Sequence, residues 1–150
     1  MNHIELRFSA LLKNEALARV AISSFVAELN PTIEELIEIK TLVSEAVSNA
    51  IIHGYKLDEK RDVYLKARII NKTLELDITD YGVGIKDLDE ILNSSYKIDE
   101  GHEHAGMGII IMKSLSDSFD IHSTLGLGTK VEIKKVVKSS TNNKNELNRV

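Results

Sequence analysis

The chain of 150 residues has no cysteine, which excludes disulfides and thiolate chemistry. It has no basic excess either. Its 19 Lys and Arg stand against 23 Asp and Glu, and the net charge of -4 leaves no positive field to hold a nucleic-acid backbone. No apolar run approaches the roughly eighteen residues that span a bilayer. The N-terminus MNHIELRF lacks the charged-then-apolar pattern of a secretory leader. The expectation is a soluble, cytoplasmic protein with no membrane and no direct nucleic-acid partner. A single proline, Pro31, punctuates the chain, and Asn30-Pro31 ends the first predicted helix. The length suits one domain, large enough to bury roughly 70% of its unfolded surface.

Residues 3–8 alternate. Ile4, Leu6 and Phe8 share one side and His3, Glu5 and Arg7 the other, the period of a half-buried strand. From Asn14, an N-cap candidate, Leu17, Val20, Ala21, Ser24, Phe25 and Leu29 recur at three and four and predict a first helix. Thr32 followed by Glu35 is a capping box, after which Ile33, Leu36, Ile37, Val43, Val47, Ala50 and Ile51 carry a long second helix to Gly54. In its C-terminal half Glu45 and Asn49 are spaced i, i+4, so they share one face, one turn apart. Such a pair is either a solvated face or a site, with a carboxamide oxygen for a metal and a carboxylate that can accept a proton.

After the polar turn 56–61, Val63, Leu65, Ala67 and Ile69 alternate with Tyr64, Lys66, Arg68 and Ile70. Asn71-Lys72 then leads into Leu74, Leu76 and Ile78, completing an antiparallel hairpin. Asp80-Tyr81-Gly82-Val83-Gly84-Ile85 follows, a ligand loop or a plain turn, whose glycines permit close approach. Residues 92–105 show no period and predict an exposed loop, of a length that marks a lid or a disordered segment. Gly106-Met107-Gly108 opens an apolar helix over 109–115, where the glycines either ease packing or present free N–H groups to a phosphate. Phe119 and Ile121 start another strand, and Leu125-Gly126-Leu127-Gly128 turns it into Val131 and Ile133, which read as an outer strand. The folded domain is expected over 1–138, with 139–150 a polar, disordered tail.

Taken in order, Glu45 and Asn49, Asp80-x-Gly82-x-Gly84, Gly106-x-Gly108 and Gly128-Thr129 form a specific series. With the strings SEAVSNAIIHGY, DYGVGI, GMGIIIM and FSALLKNEALARV, it resembles the GHKL ATPases, the superfamily of gyrase, the ninety-kilodalton heat-shock chaperone, histidine kinases and mismatch-repair ATPases. Within these it is most similar to the anti-sigma factor serine kinases, the sporulation anti-sigma F factors in particular. The resemblance covers about residues 3–136. It implies an α+β, Bergerat-type ATP-binding sandwich, a mixed and mostly antiparallel sheet with helices packed on one face.

The resemblance also implies site residues. ATP or ADP would bind with Mg²⁺, for which the Asn49 carboxamide oxygen is a hard ligand. Glu45 would be the general base toward a serine hydroxyl or a water. Asp80 would accept a hydrogen bond from the adenine amino group, favouring adenine over guanine. Gly82 and Gly84 would let the base lie against the chain, and Gly106, Met107 and Gly108 would face the phosphates. Thr129 would support the adenine contact, or is simply a good strand former. Arg19 would contact protein partners, or is a solvated helix arginine. His53 is expected to be packed and hydrogen-bonded rather than a ligand.

The implied activity is twofold: sequestering a sigma factor, and ATP-dependent phosphorylation of a serine on an anti-anti-sigma protein. The implied assembly is a homodimer through strand one and helix one. The alternative is a nucleotide-gated binding module, of sporulation or general-stress type, without phosphoryl transfer. The lid is where the chain departs from the family pattern of Thr-Thr-Lys-Pro after an aromatic residue and Arg-Ser before Gly-Met-Gly. Here Lys97-Ile98-Asp99-Glu100 follow Tyr96, and His104-Ala105 precede Gly106, leaving Lys97 and His104 as the lid's candidates for nucleotide contact. A guanidinium is always charged and forks onto phosphate, whereas imidazole, with a reference pKa of about 6.5, is only partly cationic at neutral pH. Phosphoryl transfer is therefore expected to speed up on acidification from about pH 8 to about pH 6, and in His104→Arg. Initial rates of the two proteins across that range check this, and equal rates would count against it.

Overall fold

The computed structural model describes residues 1–93 and 105–139. The elements are β1 (Asn2–Ser9), α1 (Lys13–Val26), α2 (Ile33–Asn49), β2 (Asp62–Ile70), β3 (Thr73–Asp80), α3 (Leu88–Asn93), α4 (Ala105–Leu115), β4 (Ser118–Thr124) and β5 (Gly128–Val136). A 3₁₀ turn, Ala27–Leu29, extends α1, and a π-helical turn, Ala50–Gly54, extends α2. The expected polar tail over 139–150 lies, apart from Ser139, outside the described residues, as do Lys97 and His104.

The strands form one sheet in the order β1-β2-β3-β5-β4, and every pairing is antiparallel. Strict alternation sorts its faces. Val63, Leu65, Ala67 and Ile69 of β2, Leu74, Leu76 and Ile78 of β3, and Val131 and Ile133 of β5 are buried. They share a core with Ile39, Leu42, Val43 and Val47 of α2, Ile22 and Val26 of α1, and Ile109 and Met112 of α4. The opposite face carries paired charges, Arg68 to Glu75 at 2.7 Å, Lys134 to Glu75 at 3.4 Å and Lys130 to Glu132 at 3.1 Å. The expected α+β sandwich, with helices on one face, is present, but its sheet is wholly antiparallel among the described residues and not mixed.

Helix α2 is the central helix and is fixed at its start. The Glu35 N–H donates to Thr32 Oγ1 at 3.1 Å and the Thr32 N–H donates to Glu35 Oε1 at 3.2 Å, the predicted capping box. One turn on, Glu38 pairs with Lys135 of β5, whose ammonium also donates to the Leu115 carbonyl of α4 at 2.7 Å. Three elements are tied together there.

Three sequence expectations are corrected. The buried stripe of α1 is Ala18, Ile22 and Val26, while Leu17 and Val20 are exposed. This helix has apolar residues on more than one side, and its packing on α2 decides which of them is buried. Ile33 and Ile37 of α2 are likewise exposed. Finally β5 is an interior strand between β3 and β4, and β4 forms the edge. Alternation reports which face of a strand is solvated, and says nothing of whether its two edges are paired.

Candidate functional site

The long helix ends in a wide turn. Past Asn49 the chain is π-helical, with the Tyr55 N–H reaching the Ala50 carbonyl at 2.9 Å, and such turns recur at functional sites. The turn carries Gly54 against the end of β3, where Asp80 is 5% exposed. A Cβ on Gly54 would lie 2.6 Å from the Asp80 carboxyl carbon, so only glycine fits. Sequence reasoning treated Gly54 merely as the end of the helix.

Asp80 is held from both sides. The Gly82 N–H donates to its Oδ1 at 3.0 Å, and the Thr129 backbone N–H also hydrogen-bonds the carboxylate. Burial nevertheless pushes this carboxyl up to about 6, against the lowering effect of those two N–H groups and of the Arg61 charge. Ser123, which the sequence did not single out, ties the neighbouring strands together. Its hydroxyl accepts from the Ile85 N–H at 2.8 Å and lies 2.8 Å from Thr129 Oγ1.

Asp80 lines a narrow cleft that opens to solvent. Asn49, His53, Gly84 and Thr129 line it together with the apolar side chains of Ile78, Ile85, Ile109, Ile121 and Val131. Apolar walls with a few polar groups suit a flat heterocycle whose orientation must be fixed. Beside Asn49, α4 meets α2. A Cβ on Gly108 would lie 2.7 Å from Glu45 Oε2 and 3.1 Å from Asn49 Nδ2, so this glycine leaves the two side chains room. The structure therefore brings together Glu45, Asn49 and Gly108, and places Asn49, Asp80, Gly84 and Thr129 around one cleft, with Gly82 behind the carboxylate.

The remaining candidates divide. Gly106 is buried and Met107 exposed in the first turn of α4. Arg19 is on α1, its Nε 2.8 Å from Glu15 Oε1, and Glu15 also accepts from the Ser44 hydroxyl beside Glu45. Burial first, and the Glu15 charge second, hold the Glu45 carboxyl above the usual carboxylate range, which favours proton acceptance nearer neutral pH. Among the described residues no three His, Cys, Asp or Glu side chains gather as a metal cage. The carboxamide of Asn49 suits an ion that keeps most of its waters and arrives on a phosphate, as Mg²⁺ does.

A family model for the histidine kinase-like ATPase domain matches residues 8–135. The anti-sigma F factor of Shouchella clausii is 49% identical over 134 residues, covering 89% of this chain and 92% of the relative. That of Clostridium perfringens strain SM101 is 44% identical over 134 residues, covering 89% and 96%. The chain belongs to the anti-sigma F factor family. The crystal structure of the RsbU and RsbW domains of a Mycobacterium tuberculosis protein superposes with a TM-score of 0.66 at 16% identity, over 91% of this chain and 33% of that one. That likeness concerns the fold, and it shows the sandwich of this anti-sigma F factor family member built into a longer protein.

The buried carboxylate has a measurable consequence for stability. Because the folded pKa of Asp80 is raised from 3.8 to about 6, the folded state binds the extra proton between those values. Stability from this group is therefore greatest at low pH, falls as pH rises through the window, and stays reduced above it, by at most about 3 kcal/mol. Asp80→Asn removes the titration. The unfolding free energy of the variant minus that of the unmodified protein, from urea titrations, is expected to grow between about pH 4 and about pH 7 and then level off. A difference constant with pH would contradict the assignment.

Proposed function

We propose that this protein binds ATP or ADP with Mg²⁺ in the cleft, holds a sigma factor away from RNA polymerase, and phosphorylates a serine of an anti-anti-sigma protein. The observation that carries the reading is that Asn49, which meets Glu45 beside Gly108, lines the same cleft as Asp80. The names of the anti-sigma F factor relatives supply the sigma-factor half.

Each side chain has a stated task. Asp80, ionised at neutral pH, accepts a hydrogen bond from the adenine amino group, and the Gly82 and Thr129 backbone amides keep it oriented. Gly84, Ile85 and Ile109 flank the base and exclude water from it. Thr129, with Ser123, supports the Asp80 end of the cleft. Asn49 offers the oxygen that would hold the ion, and Gly106, Met107 and Gly108 bring the N-terminal end of α4, the positive end of its dipole, to the phosphates. When bound, Mg²⁺ neutralises charge on the phosphoryl oxygens. Glu45 accepts the serine proton, a role for which its partial burial suits it. Lys97 and His104 are proposed to reach the phosphates from the segment outside the described residues.

Arg19 is proposed to leave Glu15 and engage a protein partner. A homodimer through β1 and α1 fits the edge of β1 that no strand pairs among the described residues, and the exposed Leu17 and Val20. Among the described residues no helix is long and apolar enough to cross a membrane, and a cytoplasmic site of action is part of the proposal.

Incubation with γ-labelled ATP and an anti-anti-sigma protein tests the transfer step. Glu45→Gln is expected to retain ADP binding while transfer falls by about 10² or more, the usual contribution of a positioned base. Undiminished transfer in that variant would remove Glu45 from the chemistry. Binding without transfer by the unmodified protein would instead identify a nucleotide-gated binding module.

A further inference from the structure

Tyr81, the residue after Asp80, has both of its main-chain polar groups held by side chains from the loop behind the π turn. Its N–H donates to the Tyr55 hydroxyl at 2.9 Å, and its carbonyl accepts from Arg61 Nη2 at 2.6 Å. The Tyr55 hydroxyl donates onward to the Asp62 carbonyl at 2.6 Å, so the phenol is fully used. Tyr55 is 6% exposed, and the Arg61 guanidinium lies 5.0 Å over its ring. Neither residue lines the cleft.

These contacts act on two specific peptide planes. The Tyr81 N–H belongs to the peptide joining Asp80 and Tyr81, which Tyr55 therefore fixes. The Tyr81 carbonyl belongs to the next peptide, whose N–H is that of Gly82, the group that donates to Asp80 Oδ1. A trans peptide is planar, so a guanidinium on the carbonyl side dictates where the N–H on the other side points. Arg61 thus aims the Gly82 donor, and Tyr55 fixes the backbone from which the carboxylate projects. The ring of Tyr81 is exposed, and only its edge-on contact with Tyr64, at 5.5 Å, adds to the hold.

We propose that Tyr55 and Arg61 are positioning residues for base selection, each fixing one of the two peptides that orient the Asp80 carboxylate toward the cleft. The inference rests on the reading of Asp80 as the acceptor for the adenine amino group. A carboxylate held in one direction accepts from that amino group and repels the carbonyl oxygen that guanine presents at the same place. A carboxylate free to turn loses this discrimination while the remaining contacts still bind either nucleotide.

The test is equilibrium binding of ADP and of GDP, each with Mg²⁺, to the full chain and to Tyr55→Phe, Arg61→Gln and Arg61→Lys. The unmodified protein is expected to prefer ADP. Tyr55→Phe and Arg61→Gln are each expected to reduce the ADP-to-GDP ratio of affinities by about tenfold, the loss that one well-placed hydrogen bond produces. Arg61→Lys, which keeps a charged donor, is expected to recover part of the ratio. If Tyr55→Phe does not fold, Arg61→Gln decides the matter, because Arg61 is exposed and its loss spares the core. Ratios within twofold of the unmodified protein in every folded variant would overturn the inference. An unmodified protein with no preference for ADP would overturn the reading of Asp80, and this inference with it.

Discussion

Burying the Asp80 carboxylate at the end of a central strand costs free energy that the folded chain offsets only in part. Two backbone N–H groups and the distant charge of Arg61 favour ionisation, yet desolvation outweighs them and lifts the group to about 6. A carboxylate in that state is short of donors. Any ligand that brings a donor into the cleft relieves a strain already present in the protein. Much of the local architecture follows from keeping this group dry and aimed: the glycine at 54 that touches it, the Gly82 amide that donates to it, and the tyrosine and arginine that hold the peptides on either side of Tyr81.

Helix α2 transmits this constraint across the molecule. Its first turn is capped by Thr32 and Glu35 and tied through Glu38 to β5 and α4. Its last turns present Glu45 and Asn49, and the π turn beyond them delivers Gly54 to Asp80. One rigid element thus sets the spacing between the group proposed to choose the base and the groups proposed to handle the phosphates. Helix α4 depends on the same element, since Gly108 meets Glu45 and Asn49 where a side chain would displace the Glu45 carboxylate. Precise placement of that kind is difficult to obtain from loops and natural to a packed helix.

Much of this was legible in the sequence, for local reasons. The alternation in β2 and β3 and the Thr32 to Glu35 capping box are short-range patterns, and each has its expected geometry here. The i, i+4 spacing of Glu45 and Asn49 put them on one face, and the order of the glycine motifs tied them to Asp80. What was missed depends on contacts between distant segments. Gly54 reads as a helix end until β3 is set beside it. Tyr55 reads as core and Arg61 as a solvated turn until their grip on Tyr81 is visible. The burial of Ala18 in place of Leu17, and the interior place of β5, were decided by packing partners that no local period announces.

A donor-poor carboxylate and a carboxamide on a capped helix are proposed together to form an adenine-nucleotide site. Calorimetric titration of the full chain with ADP, with and without Mg²⁺, tests it most directly. Saturable binding of one ADP per chain is expected, tightened by Mg²⁺ through Asn49 and weakened below about pH 6 as Asp80 takes up its proton. No binding of ADP under either condition would contradict the proposal.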